Sequence, residues 1–64
     1  MKLIKLKAVM DCTGLARSTV YKFVAEGRFP KPVKLGVRMV AWVESEVQQW
    51  ILNKIELREQ VAAK

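Results

Sequence analysis

With 64 residues, of which 52% are apolar and 28% charged, the chain is long enough for one globular domain and too apolar for a disordered segment. It contains no histidine and one cysteine, Cys12, which excludes a disulfide framework, a zinc-ligand set and a catalytic triad built on histidine. Twelve basic residues against six acidic ones give a net charge of +6, which favours a polyanionic partner. We therefore expect a non-enzymatic protein without a metal or another cofactor.

Two short helices joined by a tight turn are predicted in the first part of the chain. The first covers residues 6–13, has apolar side chains at helical spacing and ends at Gly14, where a left-handed cap is expected. The second covers residues 17–26, carries the apolar stripe Val20, Phe23 and Val24, and is followed by a second glycine. This pattern predicts a helix-turn-helix, with Leu15 closing the corner between the helices.

A β-hairpin is predicted after the second helix. Two prolines keep residues 29–32 extended, and residues 33–35 and 38–42 have the composition of strands. Gly36 and Val37 between them suit a two-residue type II′ turn.

The predicted hairpin register pairs Leu35 with Arg38 and Val33 with Val40. It places an apolar row on one face of the hairpin, which consists of Val33, Leu35, Val40 and Trp42. Because a two-stranded ribbon is marginally stable alone, this face is expected to pack on the helices. Arg38 then lies at the tip, and Lys34 and Met39 lie on the outer face.

A third helix is predicted from a capping-box signature, Ser45 with Gln48 three residues later. Its apolar stripe consists of Val47, Trp50, Ile51 and Ile55. The stripe fades after residue 55, and the last six or so residues are expected to fray. We therefore divide the chain into a domain over residues 1–55 and a C-terminal helical extension or frayed tail over residues 56–64.

The aromatic residues and the cysteine are assigned by their positions on these elements. Trp42 and Trp50 fall on apolar faces and are predicted to be core residues. Cys12 is predicted to be a small, semi-buried residue of the first helix. Tyr21 lies at the edge of an apolar stripe, so packing and partner contact stay equally open for it.

The positive charge is concentrated in the first two thirds of the chain. Residues 1–42 carry nine basic residues against two acidic ones, whereas residues 43–64 carry three against four. No apolar run approaches the roughly 20 residues of a membrane span, and lysines interrupt the start of the chain too often for a signal peptide. The lone thiol and the lysine-interrupted start indicate a cytoplasmic protein. No membrane partner is expected, because the lysines are spread over several elements.

The face of the second helix opposite its apolar stripe carries the residue types that read DNA. Small polar groups near a helix start approach phosphates and base edges, and long cations reach guanine or backbone oxygens. Taken alone, such a face also fits an ordinary solvent-exposed helix, but the helix-turn-helix context favours recognition. Cations on and before the hairpin are expected to reach the backbone or the minor groove. The candidate DNA-binding residues are Arg17, Ser18, Thr19, Tyr21, Lys22, Arg28, Lys31, Lys34 and Arg38.

Two segments carry a resemblance to a known family. The runs TGLARSTVYK, residues 13–22, and EGRFPKPVKLG, residues 26–36, together with Arg38, Trp42 and Trp50, resemble the AlpA family of prophage regulators. The resemblance extends from about residue 3 to residue 55. It implies a winged helix-turn-helix related to MerR-type proteins and phage excisionases: mainly α, with three helices and a two-stranded wing. It also implies a recognition helix at residues 17–26 and a wing at residues 33–42.

The chain departs from the family pattern at two positions. Position 16 is alanine where the family commonly has serine, so the expected capping oxygen of the second helix is missing. Ser18 or Thr19 is a candidate substitute for it. Position 37 is valine where a second glycine is common, which is consistent with the predicted type II′ turn.

We therefore predict a sequence-specific double-stranded DNA-binding protein that acts as a prophage transcriptional regulator. One alternative is an excisionase-like recombination directionality factor, as some relatives of the family are. Another is a protein-interaction module that inhibits a bacterial regulator or an integrase. Because one small module has little surface for specificity, self-association or contact with an integrase or another regulator is also expected. The candidate contact residues are Leu52, Leu57 and Val61.

Overall fold

Six short elements build the fold. The computed structural model describes residues 1–62, and their side chains through residue 60. In chain order the elements are β1 (Leu3–Ile4), α1 (Leu6–Thr13), α2 (Arg17–Ala25), β2 (Val33–Lys34), β3 (Val40–Val43) and α3 (Glu44–Ala62). The predicted fold class, a mainly helical winged helix-turn-helix with three helices and a hairpin wing, is confirmed.

The turn between α1 and α2 forms as its residues predict. Gly14 adopts the left-handed conformation, with φ of 73°, and its amide donates to the carbonyl of Met10 at 2.8 Å. The Thr13 hydroxyl donates to the carbonyl of Val9 at 2.8 Å and accepts a hydrogen bond from the amide of Leu15 at 3.2 Å. Leu15 then packs against the core. These local contacts determine the angle at which α2 leaves α1.

The sheet contains a strand that the sequence analysis did not predict. Its order is β1-β3-β2, and both pairings are antiparallel. The first two residues of β3 pair with β2, and its last two, Trp42 and Val43, pair with β1. Because β1 is two residues long, it shows no apolar alternation by which it could be recognised.

The predicted register of the hairpin is wrong by one residue. Val33 lies opposite Ala41 and Lys34 opposite Val40. The amide of Leu35 donates to the carbonyl of Met39 at 2.7 Å, so residues 36–38 form a three-residue loop. The predicted type II′ turn is wrong too, because it requires a positive φ at Gly36 and the glycines with positive φ are those at 14 and 27.

A register slip of one residue moves side chains to the opposite face of a strand. Val33 and Leu35, predicted to share a face with Val40 and Trp42, instead lie on the opposite face, where Val33 pairs with Ala41 and Leu35 with Met39. They are 39% and 49% exposed. Lys34 was predicted to share a face with Met39. It lies opposite Val40 instead, so that prediction is wrong. Trp42 and Val40 do pack inward as predicted. Both Val37 and Arg38 lie in the exposed loop at the tip.

The core lies where the sheet meets the three helices. Its fully buried side chains are Trp42, Val9, Val20 and Val47, joined by Ile4 and Phe29. Two indole N–H groups hold the extended segment after α2 against this core: Trp42 donates to the carbonyl of Pro30 at 2.8 Å, and Trp50 donates to that of Arg28 at 2.7 Å. The core assignment is confirmed for Trp42, whereas Trp50 is half-buried at the core's edge.

The third helix begins two residues earlier than the predicted capping box implies. It follows β3 directly at Glu44, whose amide donates to the carbonyl of Lys2 at 2.8 Å. Ser45 is thus the second helical residue, and the predicted capping box is wrong. The helix continues through Ala62, and residues 63–64 lie outside the described part of the chain. No helix within residues 1–62 has the length and apolar content needed to cross a membrane.

The semi-buried position predicted for Cys12 is wrong as well, because its side chain is exposed. It lines an open groove between the end of α1 and α3, together with Ile51 and Ile55.

Two glycine substitutions test the turn geometry described above. Gly14→Ala is expected to lower the free energy of unfolding by about 1 to 2 kcal/mol, because a Cβ disfavours the left-handed conformation even where space is open. Gly36→Ala is expected to leave stability unchanged or raise it by up to about 1 kcal/mol. A Cβ there would come no closer than 3.8 Å to Met39. Urea denaturation of both variants checks this, and a loss at Gly36 equal to that at Gly14 would contradict the three-residue loop.

Candidate nucleic-acid interface

The outward face of α2 displays most of the predicted contact residues. Val20 is fully buried and anchors the opposite side of the helix, so this face is turned to solvent. The exposed side chains are Arg17, Ser18, Tyr21 and Lys22, and Thr19 is half-buried at the flank. Four of the five α2 candidates are therefore accessible to a large partner.

The wing and α2 share a cleft of about 360 Å³. Arg17 and Tyr21 contribute from α2, and Arg38 contributes from the wing loop. The remaining lining residues are Lys5, Leu6 and Lys7 at the start of α1, and Leu35, Met39 and Val40 in the wing. The structure therefore brings three of the nine predicted residues together, at a depression lined by cationic and apolar side chains.

Tyr21 packs on the core and also remains partly exposed. Its ring centroid lies 6.2 Å from that of Trp42, tilted by 58°, so one edge packs on the core. The side chain remains 38% exposed in the cleft. A partner bound in the cleft would contact Tyr21, whose ring packs near the fully buried ring of Trp42.

Two of the predicted cations lie elsewhere. Arg28 and Lys31 line a larger groove of about 670 Å³, between residues 27–33 and α3, which also contains Glu46. The Arg28 guanidinium lies 5.4 Å from the centroid of the Phe23 ring, and its Nη1 is 3.4 Å from an oxygen of Glu26. This exposed ion pair contributes little stability.

Ser18, Lys22 and Lys34 are exposed and line neither depression. They extend the surface beside the cleft on α2 and on β2. The candidate interface is therefore a surface centred on the cleft, with Arg28 and Lys31 at its periphery.

Both helices that begin at the cleft start without a side-chain cap. The N-cap residues are Lys5 for α1 and Ala16 for α2, and within residues 1–62 neither helix start has a capping side-chain hydrogen bond or an acidic residue in its first turn. The missing cap oxygen at position 16 is thus confirmed, and neither Ser18 nor Thr19 replaces it. The first amides of a helix lack partners within the helix, and its start carries partial positive charge, so this region attracts anions.

Lys5 and Lys7 are the cleft residues that the sequence analysis missed. In the sequence they belong to the basic residues of the first 42 positions and interrupt the apolar start of the chain. The packing of α1 and α2 brings the start of α1 to the same cleft as Arg17, and no spacing along the sequence predicts that juxtaposition.

Comparison with known proteins identifies the family. The model of the family described as "Prophage CP4-57 regulatory protein (AlpA)" matches residues 2–55. An Escherichia coli K12 protein named "DNA-binding transcriptional activator AlpA" is 33% identical over 63 residues, covering 89% of this chain and 90% of that protein. A phage P4 protein named "Uncharacterized protein ORF88" is 41% identical over 54 residues, covering 84% of this chain. The chain spans 61% of the length of the P4 protein. The matched residues include all of α1, α2 and the wing, and the chain belongs to the AlpA family of prophage regulatory proteins.

Proposed function

We propose that the chain binds double-stranded DNA sequence-specifically and acts as a prophage transcriptional regulator without catalytic activity. The observation that carries this proposal is the convergence of the outward face of α2 and the wing loop on one cationic cleft. The name of the E. coli relative, a DNA-binding transcriptional activator, supports the same assignment.

In this proposal α2 enters the major groove. Arg17 and Ser18, near its start, contact base edges or nearby phosphates, and Tyr21 and Lys22 contact the flank of the site together with Thr19. The uncapped amides at the start of α2 donate hydrogen bonds to a phosphate oxygen, in place of the missing serine hydroxyl.

The wing contacts the same duplex beside α2. Arg38 at its tip reaches the minor groove or the flanking backbone, and Lys34 contacts a phosphate. Arg28 and Lys31, which line the neighbouring groove, add attraction at the edge of the site. Residues 1–55 form the DNA-binding domain in this proposal, and residues 56–64 extend it.

A footprint on the DNA upstream of the gene and of any adjacent integrase gene tests the proposal. The protected fragment is then titrated into ¹⁵N-labelled protein at low ionic strength. We expect amide shifts both at the start of α2 and in the loop at residues 36–38, with a slope of log affinity against log salt near −4.5 for about five neutralised phosphates. Unchanged spectra in both regions would refute DNA binding by this surface.

A second candidate function is a protein-interaction module that inhibits a regulator or an integrase. The exposure of the distal part of α3 favours it, since Leu52 is 52% and Leu57 is 53% exposed. The third predicted contact residue, Val61, lies beyond the described side chains. The same surface could mediate self-association of the chain on repeated DNA sites. In an excisionase-like role, it could instead contact an integrase.

Removing residues 56–64 separates the two functions. If DNA binding is the function, the truncated chain is expected to keep its footprint and its regulatory effect, because the cleft lies entirely within residues 5–40. A reporter gene and a footprint measured on the same variant check this. Loss of regulation with an intact footprint would instead favour the protein-interaction role, and the mass of the full chain in solution with and without DNA tests self-association.

A further inference from the structure

Four cations from three parts of the fold surround the cleft. Lys5 and Lys7 come from the start of α1, Arg17 comes from α2, and Arg38 comes from the wing loop. All four are exposed, and among the described residues no acidic side chain lines the cleft. The ion pairs found in the described part of the chain involve other cations, Lys2 and Arg28. The cleft therefore concentrates positive charge that the protein itself does not neutralise.

The other residues that line the cleft are apolar or aromatic: Leu6, Tyr21, Leu35, Met39 and Val40. Leu35 and Met39 are 49% and 54% exposed, although they are large apolar side chains. A free phosphate ion would leave these apolar side chains in water. A sugar–phosphate backbone presents charged oxygens to the four cations and deoxyribose carbons to the apolar side chains, so it complements both features at once.

We propose that the cleft seats the backbone of one DNA strand as it passes between α2 and the wing, with Lys5 and Lys7 as phosphate contacts. This inference rests on the proposed DNA binding and adds α1 to the surface that contacts the duplex. Phosphate contacts position a protein on DNA without reading its sequence. Lys5 and Lys7 thus strengthen binding to every duplex and set the register in which α2 meets the bases.

The two lysines can be removed without threatening the fold. Both are exposed, and they lie at the positive end of α1, where a helix dipole disfavours cations. Glutamine keeps most of the side-chain length and the helix propensity of lysine. The double variant Lys5→Gln/Lys7→Gln is therefore expected to melt at the temperature of the unmodified chain or slightly above it.

The experiment compares this variant with a matched control, Lys54→Gln/Arg58→Gln. Each variant loses two positive charges, but Lys54 and Arg58 line the groove beside Cys12, away from the cleft. Affinity for the footprinted fragment and for random duplex is measured between 50 and 200 mM salt. For Lys5→Gln/Lys7→Gln we expect a slope of log affinity against log salt that is shallower by about 1.8. Its loss of affinity relative to the unmodified chain is then about 12-fold smaller at the highest salt concentration than at the lowest. This loss of affinity is expected to be equal on the footprinted fragment and on random duplex. The control variant is expected to keep the salt slope of the unmodified chain.

Each outcome bears on a different part of the inference. If the unmodified chain binds no duplex, the proposed function fails and this inference fails with it. If the unmodified chain binds but the two double variants give the same slope, only the cleft assignment is overturned. Binding to vesicles containing anionic lipid that depends on Lys5 and Lys7, while DNA binding does not, would overturn it in favour of a membrane surface. The single variant Lys7→Gln gives an independent reading, with an expected slope change of about 0.9.

Discussion

Arg17→Ala is expected to reduce discrimination between the specific site and random DNA by roughly 1 to 3 kcal/mol, the value of one good base contact. Arg17 is exposed at the first position of α2 and lines the cleft opposite the wing loop. Alanine keeps the helix and removes only the long cation. Competition binding on specific and random duplexes at one salt concentration measures the change.

Lys34→Ala is the matched control for this prediction. Lys34 is exposed on β2 and is proposed to contact a phosphate, so its loss is expected to weaken binding to all sequences alike. Equal losses on specific and random DNA for Arg17→Ala would show that Arg17 is a phosphate contact too. The readout of bases would then fall to other α2 side chains, Ser18 and Lys22 foremost.

Trp42→Ala is expected to remove between roughly a third and all of the free energy of unfolding. Truncating a buried tryptophan costs about 3 to 5 kcal/mol. A domain of this length is stable by only roughly 3 to 10 kcal/mol. The Trp42 side chain is completely buried, packs near Tyr21, and donates to the carbonyl of Pro30. Far-UV circular dichroism at 25 °C and urea denaturation measure the loss.

Trp42→Phe separates the packing of the ring from its hydrogen bond. Phenylalanine keeps an aromatic ring in the core but leaves the Pro30 carbonyl without its donor, at an expected cost of about 1 to 3 kcal/mol. We expect this variant to fold and to bind DNA with reduced stability. A Trp42→Ala protein with native circular dichroism and an unchanged urea midpoint would show that the core does not depend on this residue.

The helix-turn-helix could be predicted because its signals are local. Apolar spacing of 3 and 4 residues defines the inner faces of α1 and α2, and Gly14 allows the left-handed conformation that ends α1. The predicted outward face of α2 followed from the same stripe, since a helix that buries Val20 must expose the residues opposite to it.

The wing was predicted less well because its register depends on the loop. A two-residue turn at residues 36–37 and a three-residue loop at residues 36–38 fit the same sequence, and they differ by one residue in register. That difference decides whether Leu35 faces the core or the cleft. The predicted capping box is wrong because β3 runs directly into α3, so no loop residue precedes the helix to act as its N-cap.

The sequence alone determined what each segment is: the two helices with their buried stripes, the glycine turn, the positive charge of the first 42 residues, and the family to which they belong. These properties depend on side chains a few residues apart. Only the tertiary structure decided which cations share a site. It placed Lys5 and Lys7 beside Arg17 and Arg38, and it assigned Arg28 and Lys31 to a different groove. Such groupings arise from the angles at which α1, α2 and the wing pack on Trp42, and that packing joins residues more than 30 positions apart in the chain.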